Sequence, residues 1–131
     1  MKYLPPFELI KRMVEVSTVR GELRVSLSYD DFIRVLRLMI SGIEVSQDWY
    51  LKEYQDIAQA IANGTVASAK QHFVDDGYFE GRRPFPMPVN ERWYLEHNAD
   101  VAESVRKGIV SSGEQHFVED GYREGRLPHE L

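Results

Sequence analysis

Residues 49–84 lie over residues 93–128 without a gap, at an offset of 44, and nineteen of the thirty-six aligned positions are identical. A stretch written twice in one chain must fold the same way twice, so the repeat limits the architecture more than any other feature. The shared frame is WYL, then an Asp, a Gly, a Val and a Ser, then QHFV-x-DGY-x-EGR-x-P.

Each copy predicts three short helical pieces. Ser46 and Asn90 precede the first and are expected to cap it. Asp56 and Asp100 fall in the first turn of the second piece, where helical N–H groups favour negative charge. Ile57, Ala58 and Ile61, repeated as Val101, Ala102 and Val105, form its apolar side, and Gly64 and Gly108 end it. The third piece starts at Thr65 or Ser68, and at Ser111 or Ser112. Val66, Ala69 and Phe73 then face inward, with Val110, Gly113 and Phe117 as counterparts. Gly77 and Gly121 are expected to stop this helix, and Gly81 and Gly125 to turn the chain before Arg82 and Arg126. Phe side chains are expected inside, with Tyr and Trp at the edge.

The first forty-five residues have a different pattern. FELIKRMVEV fits either a short helix or a strand, and Leu23, Val25 and Leu27 alternate as in a strand. SLSYDD then leads into a helix whose apolar face is Phe32, Val35, Leu36, Met39 and Ile40, with Ser28 and Asp31 in the positions of a capping box. The prolines of RPFPMPVN favour an extended connection. The expected organisation is an N-terminal helical or mixed docking segment at 1–45, repeats at 46–84 and 91–131, and a proline-rich linker at 85–90. The fold class is mainly α, a compact short-helix protein with two tandem helical repeats and a distinct N-terminal segment.

The chain has no cysteine, which excludes disulfides, thiol nucleophiles and cysteine-ligated metals. A net charge of -5 argues against broad attraction to phosphate backbones, so no nucleic-acid partner is expected. Neither a signal-peptide-type apolar run nor a candidate membrane span is visible, so no membrane insertion and a cytoplasmic location are expected.

Two repeated polar sets carry the candidate chemistry. His72 and Asp76, like His116 and Asp120, are four residues apart, close enough on a helix for a histidine–carboxylate hydrogen bond. Glu80 with Arg82, and Glu124 with Arg126, flank turn glycines and are expected to close local networks, with Asp56 or Asp100 as further partners. All eight are expected to be structural. No serine elbow, phosphate loop or dinucleotide fingerprint accompanies them, so no catalytic, cofactor-binding or metal residue is assigned and no cofactor is expected.

The frame YLKEYQDI…GTVASAKQHFVDDGYFEGR and its copy YLEHNADV…GIVSSGEQHFVEDGYREGR resemble a bacterial helical repeat module. That module has the pattern YL…DV…G…SA..HF…G..EGR. It is found as an accessory segment in surface-associated and carbohydrate-processing proteins. The resemblance covers most of residues 49–126 and implies a non-catalytic attachment or organising role. It supplies no active-site residues. Gln55 and Ala99 stand where the module often has proline, and Ser112–Gly113 replaces the usual SA pair.

The functional expectation is a non-enzymatic helical adaptor or scaffold for protein–protein association, with a protein partner or a homo-oligomer. Phe32, Val35, Leu36, Met39, Ile40, Trp49 and Trp93 are the interaction candidates. The alternative is a small ligand- or metal-binding protein using the repeated His–Asp or Glu–Arg groups.

Overall fold

The computed structural model describes residues 2–131. It is mainly α, with an N-terminal β-hairpin segment and two similar helical repeats. The chain divides into two compact units, Met1–Phe85 and Pro86–Leu131.

In the first unit, α1 (Phe7–Arg12) leads into strands β1 (Glu15–Val19) and β2 (Glu22–Ser26), which pair antiparallel. FELIKRMVEV is thus both helix and strand, split at Met13. β1 starts within that stretch and runs on to Val19, and Arg20–Gly21 between two alternating runs is a hairpin signal. Helix α2 (Tyr29–Ile40) follows, and Ser28 Oγ accepts the Asp31 N–H at 3.1 Å to cap it. Its inward side chains are Ile40, which is buried, and Val35 and Leu36, which are half-buried; Phe32 and Met39 stay exposed.

The first repeat consists of α3 (Gln47–Glu53), α4 (Gln55–Ala62) and α5 (Ala69–His72), which runs into a π turn at Phe73–Gly77. The second repeats this as α6 (Glu91–His97), α7 (Ala99–Arg106) and α8 (Gly113–His116), with a π turn at Phe117–Gly121. Ser68 and Ser112 cap α5 and α8 through the Gln71 and Gln115 N–H groups, both at 3.0 Å. The first residue of each repeat's opening helix adds a second acceptor there: Gln47 takes the Ala69 N–H, and Glu91 takes those of Gly113 and Glu114. Asn90 caps α6 through the Trp93 N–H, whereas Ser46 makes no side-chain cap.

Each repeat closes on itself. Pro84 C=O accepts the Ser46 N–H at 2.9 Å, and Pro128 C=O accepts the Asn90 N–H at 3.0 Å, so the residue ending a repeat bonds the residue opening it. The cores are Tyr50, Ile57, Ala69 and Phe73 in one unit, and Tyr94, Val101 and Phe117 in the other. Tyr50 and Tyr94 are fully buried, which corrects the expectation of tyrosines at the edge. Their hydroxyls have partners inside, which removes the main cost of burying them.

Candidate functional site

The repeated polar residues converge around those two tyrosines. Tyr50 Oη and His72 Nδ1 are hydrogen-bonded at 2.9 Å, and Tyr94 Oη and His116 Nδ1 at 2.8 Å. The expected His–Asp pairs do not form in this way. His72 stands where α5 opens into the π turn, and the wider turn moves the residue four positions on away from the histidine. The carboxylate nearest His72 Nε2 is Glu80, at 4.0 Å. Asp76 lies instead beside Glu80 in a groove of about 290 Å³ between α2 and the π turn, and Asp120 is exposed in its own unit.

Gly77 and Gly121 are the last residues of the two helical segments, as expected, but neither has a left-handed backbone. Each closes its π turn, where a Cβ would overlap the buried tyrosine hydroxyl and come within 3.3 Å of the histidine Nδ1. Glycine is required by this approach of the phenol to the backbone. Gly81 and Gly125, by contrast, are needed for their left-handed backbone, with φ of 81° and 80°. They reverse the chain so that the next residue, an arginine, points back at the helices.

Arg82 Nη1 and Nη2 then donate to both oxygens of Asp56, at 3.0 and 2.8 Å, while Nε donates to Glu80 at 2.7 Å. Arg126 does the same with Asp100, at 2.9 and 2.8 Å, and with Glu124 at 2.7 Å. The planar guanidinium fork suits this two-oxygen grip. Hydrogen bonds from Arg126 hold the Asp100 carboxyl down at about 2, and those from Arg82 lower Asp56 likewise. Both guanidinium groups are raised by their carboxylates. Burial raises the Tyr50 and Tyr94 phenols above their ordinary value, opposed in part by Arg82 and Arg126.

Around this arginine the two copies differ at the position of Tyr54 and Asn98. Arg82 lies 5.0 Å over the Tyr54 ring, while the equivalent Asn98 accepts from Arg126 Nη1 at 2.9 Å. A second arginine, Arg83, was missed by sequence reasoning because it is not repeated. It is 6% exposed, donates to Glu53 at 3.4 Å and covers the Trp49 ring at 5.1 Å. Trp49 is therefore engaged within its own unit, and Trp93 stacks on His97 at 4.1 Å.

Chemically, the constellation is a set of satisfied acceptors and donors. Among the described residues, every buried side-chain nitrogen or oxygen has a hydrogen-bond partner, and no group of three or more histidines and carboxylates is placed to hold a metal ion. Nor is any helix among them long and apolar enough to cross a membrane. Comparison with protein-family models, curated proteins and solved structures found no match.

Proposed function

We propose that the protein is a non-enzymatic helical adaptor in which two self-closed repeats serve as rigid supports and association runs through the N-terminal segment. The observation that carries this reading is a division of labour along the chain. Both repeats spend the same polar set on themselves: the histidine bonds Tyr50 or Tyr94, and the arginine grips Asp56 with Glu80 or Asp100 with Glu124. Meanwhile eleven of the eighteen exposed large hydrophobic residues among those described fall within the first 43 positions. Scattered exposed apolar residues are ordinary, but a concentration of this kind marks a contact surface. The accessory role implied by the resembled repeat module supports the same reading.

The test is capture of partners from the native source with the intact chain. Substituting Phe32→Glu and Met39→Glu together, both on the exposed side of α2, is expected to release the specific partner while the fold persists. Retention of that partner, or turnover of a substrate that vanishes with His72→Ala in a folded protein, would reject the adaptor.

A further inference from the structure

All ten strand residues of the β-hairpin are exposed, yet its two faces differ. In the register Val16↔Val25 and Thr18↔Leu23, these four side chains share one face, while Glu15, Ser17, Arg24 and Ser26 share the other. Val16, Leu23 and Val25 are 47%, 79% and 61% exposed. A lone two-stranded hairpin is marginal in water and gains from additional strands.

The turn determines which backbone groups point outward. Arg20 and Gly21 have φ of 52° and 80°, the signature of a two-residue type I′ turn, so Val19 and Glu22 form a hydrogen-bonded pair. Alternation along an antiparallel ladder makes Ser17↔Arg24 and Glu15↔Ser26 bonded pairs as well. The N–H and C=O groups of Val16 and Thr18 therefore point away from β2, along the outer edge of β1. Those of Leu23 and Val25 form the outer edge of β2.

Charge distinguishes the two edges. Self-pairing of β2 about its centre would set Arg24 against Arg24 of a second copy. Self-pairing of β1 about Ser17 sets Glu15 against Val19, Val16 against Thr18 and Ser17 against Ser17, with no like charges opposed. β1 also lacks the lysine or proline that commonly guards a sheet edge.

We infer that a second copy of this chain pairs along β1, antiparallel about Ser17, to form a four-stranded sheet across a two-fold axis. The Val16 N–H donates to the Thr18 C=O of the second copy, and the Thr18 N–H to its Val16 C=O; symmetry repeats both bonds. Val16, Thr18, Leu23 and Val25 of the two copies then share one continuous apolar face. Two five-residue strands bury far less than the roughly 1,200–2,000 Å² of a standard interface, so the dimer is weak and concentration-dependent. This deepens the adaptor reading by naming the occupant of one N-terminal surface, and rests on its claim that association runs through that segment.

The test is mass measurement by sedimentation across a wide concentration range, with amide exchange followed residue by residue. The mass is expected to rise toward that of two chains, and the Val16 and Thr18 amides to become protected as it does. Thr18→Pro removes an outward N–H without touching the β1–β2 ladder, and is expected to leave a folded monomer. Ser17→Glu places like charges across the axis while facing Arg24 favourably in its own hairpin, and is expected to weaken the dimer by up to about fivefold. Mixing Ser17→Lys with Ser17→Glu is expected to restore it as a mixed pair. A monomer at every concentration, a dimer that survives Thr18→Pro, or fast exchange of both amides in the dimer would overturn the proposal. None of those results would affect partner capture through α2, so the two readings fail separately.

Discussion

Arg37 Nη2 donates to the Asp75 carbonyl oxygen at 2.9 Å, fastening α2 to the π turn of the first repeat. In the second repeat the equivalent carbonyl, that of Glu119, accepts from Arg123 of its own turn at 2.5 Å. Position 123 corresponds to Phe79, which instead offers its ring beneath Arg37 at 5.3 Å. One repeat thus leaves its carbonyl and an aromatic face to Arg37 of α2, and the other supplies its own guanidinium. The two turns are built alike, but only the first is chemically prepared for a helix such as α2.

Phe79→Arg should therefore convert the first turn into the second. The new guanidinium would occupy the Asp75 carbonyl and remove the ring under Arg37, at a cost of about 1–2 kcal/mol from one charged hydrogen bond and one cation–π contact. Faster amide exchange in α2, with the second unit unchanged, is the expected readout. Unaltered exchange in α2 would show that Arg37 contributes little to holding it.

Gly77→Ala places a methyl against the Tyr50 hydroxyl, and Gly121→Ala does the same to Tyr94. Overpacking of this kind costs about 1–3 kcal/mol. Tyr50→Phe alone should also destabilise, by about 1–3 kcal/mol, because it leaves buried His72 Nδ1 without its 2.9 Å partner. Combined, Gly77→Ala and Tyr50→Phe should cost less than the sum of the two, since removing the hydroxyl makes room for the methyl. Denaturant titrations of the four proteins measure this coupling; strict additivity would show that the methyl is accommodated elsewhere.

Much of the repeat was legible because its signals are local. Ser68 and Ser112 as caps, Asp56 and Asp100 in first turns, and the arginine after each EGR glycine follow from short-range rules acting twice. The histidine partners were not legible, because a π turn changes which residues are neighbours and nothing in HFVDDGY announces the wider turn. The demand at Gly77 was hidden for the same reason: the atom it must avoid belongs to Tyr50, in another helix. Arg83 aligns with Leu127, so the repeated pattern that marks Arg82 does not mark it. The hairpin was half seen, since Leu23 and Val25 alternate clearly whereas β1 is interrupted by Ser17 and Thr18.

At alkaline pH, Tyr50 and Tyr94 are predicted to limit stability. Burial raises both phenols above their ordinary value of 10.0. A raised folded value means that the contribution is complete below pH 10 and declines as pH climbs above it, because the unfolded chain ionises first. Thermal midpoints should fall above pH 10, and Tyr50→Phe should reduce that fall while lowering stability at neutrality. An equal slope in the variant would assign the alkaline limb to other groups.

At acid pH the carboxylates gripped by arginine take over. Asp100 is held at about 2 against an ordinary 3.8, and Asp56 is lowered in the same sense. A depressed folded value contributes stability that is fully present above pH 3.8 and is lost as pH falls through the folded value. The predicted window is thus pH 3.8 down to about 2 for the Arg126–Asp100 pair. Both carboxylates are more than half exposed, so solvent screens the effect and salt should reduce it. Thermal midpoints recorded from pH 5 to pH 2 should drop across the window, and Asp100→Asn should flatten that drop without altering the alkaline limb. Arg126→Lys keeps the charge but loses the two-oxygen grip, and should remove part of the same pH dependence. If Arg126→Lys leaves the acid profile unchanged, charge alone accounts for the depression, and the fork geometry seen in both repeats is not its cause.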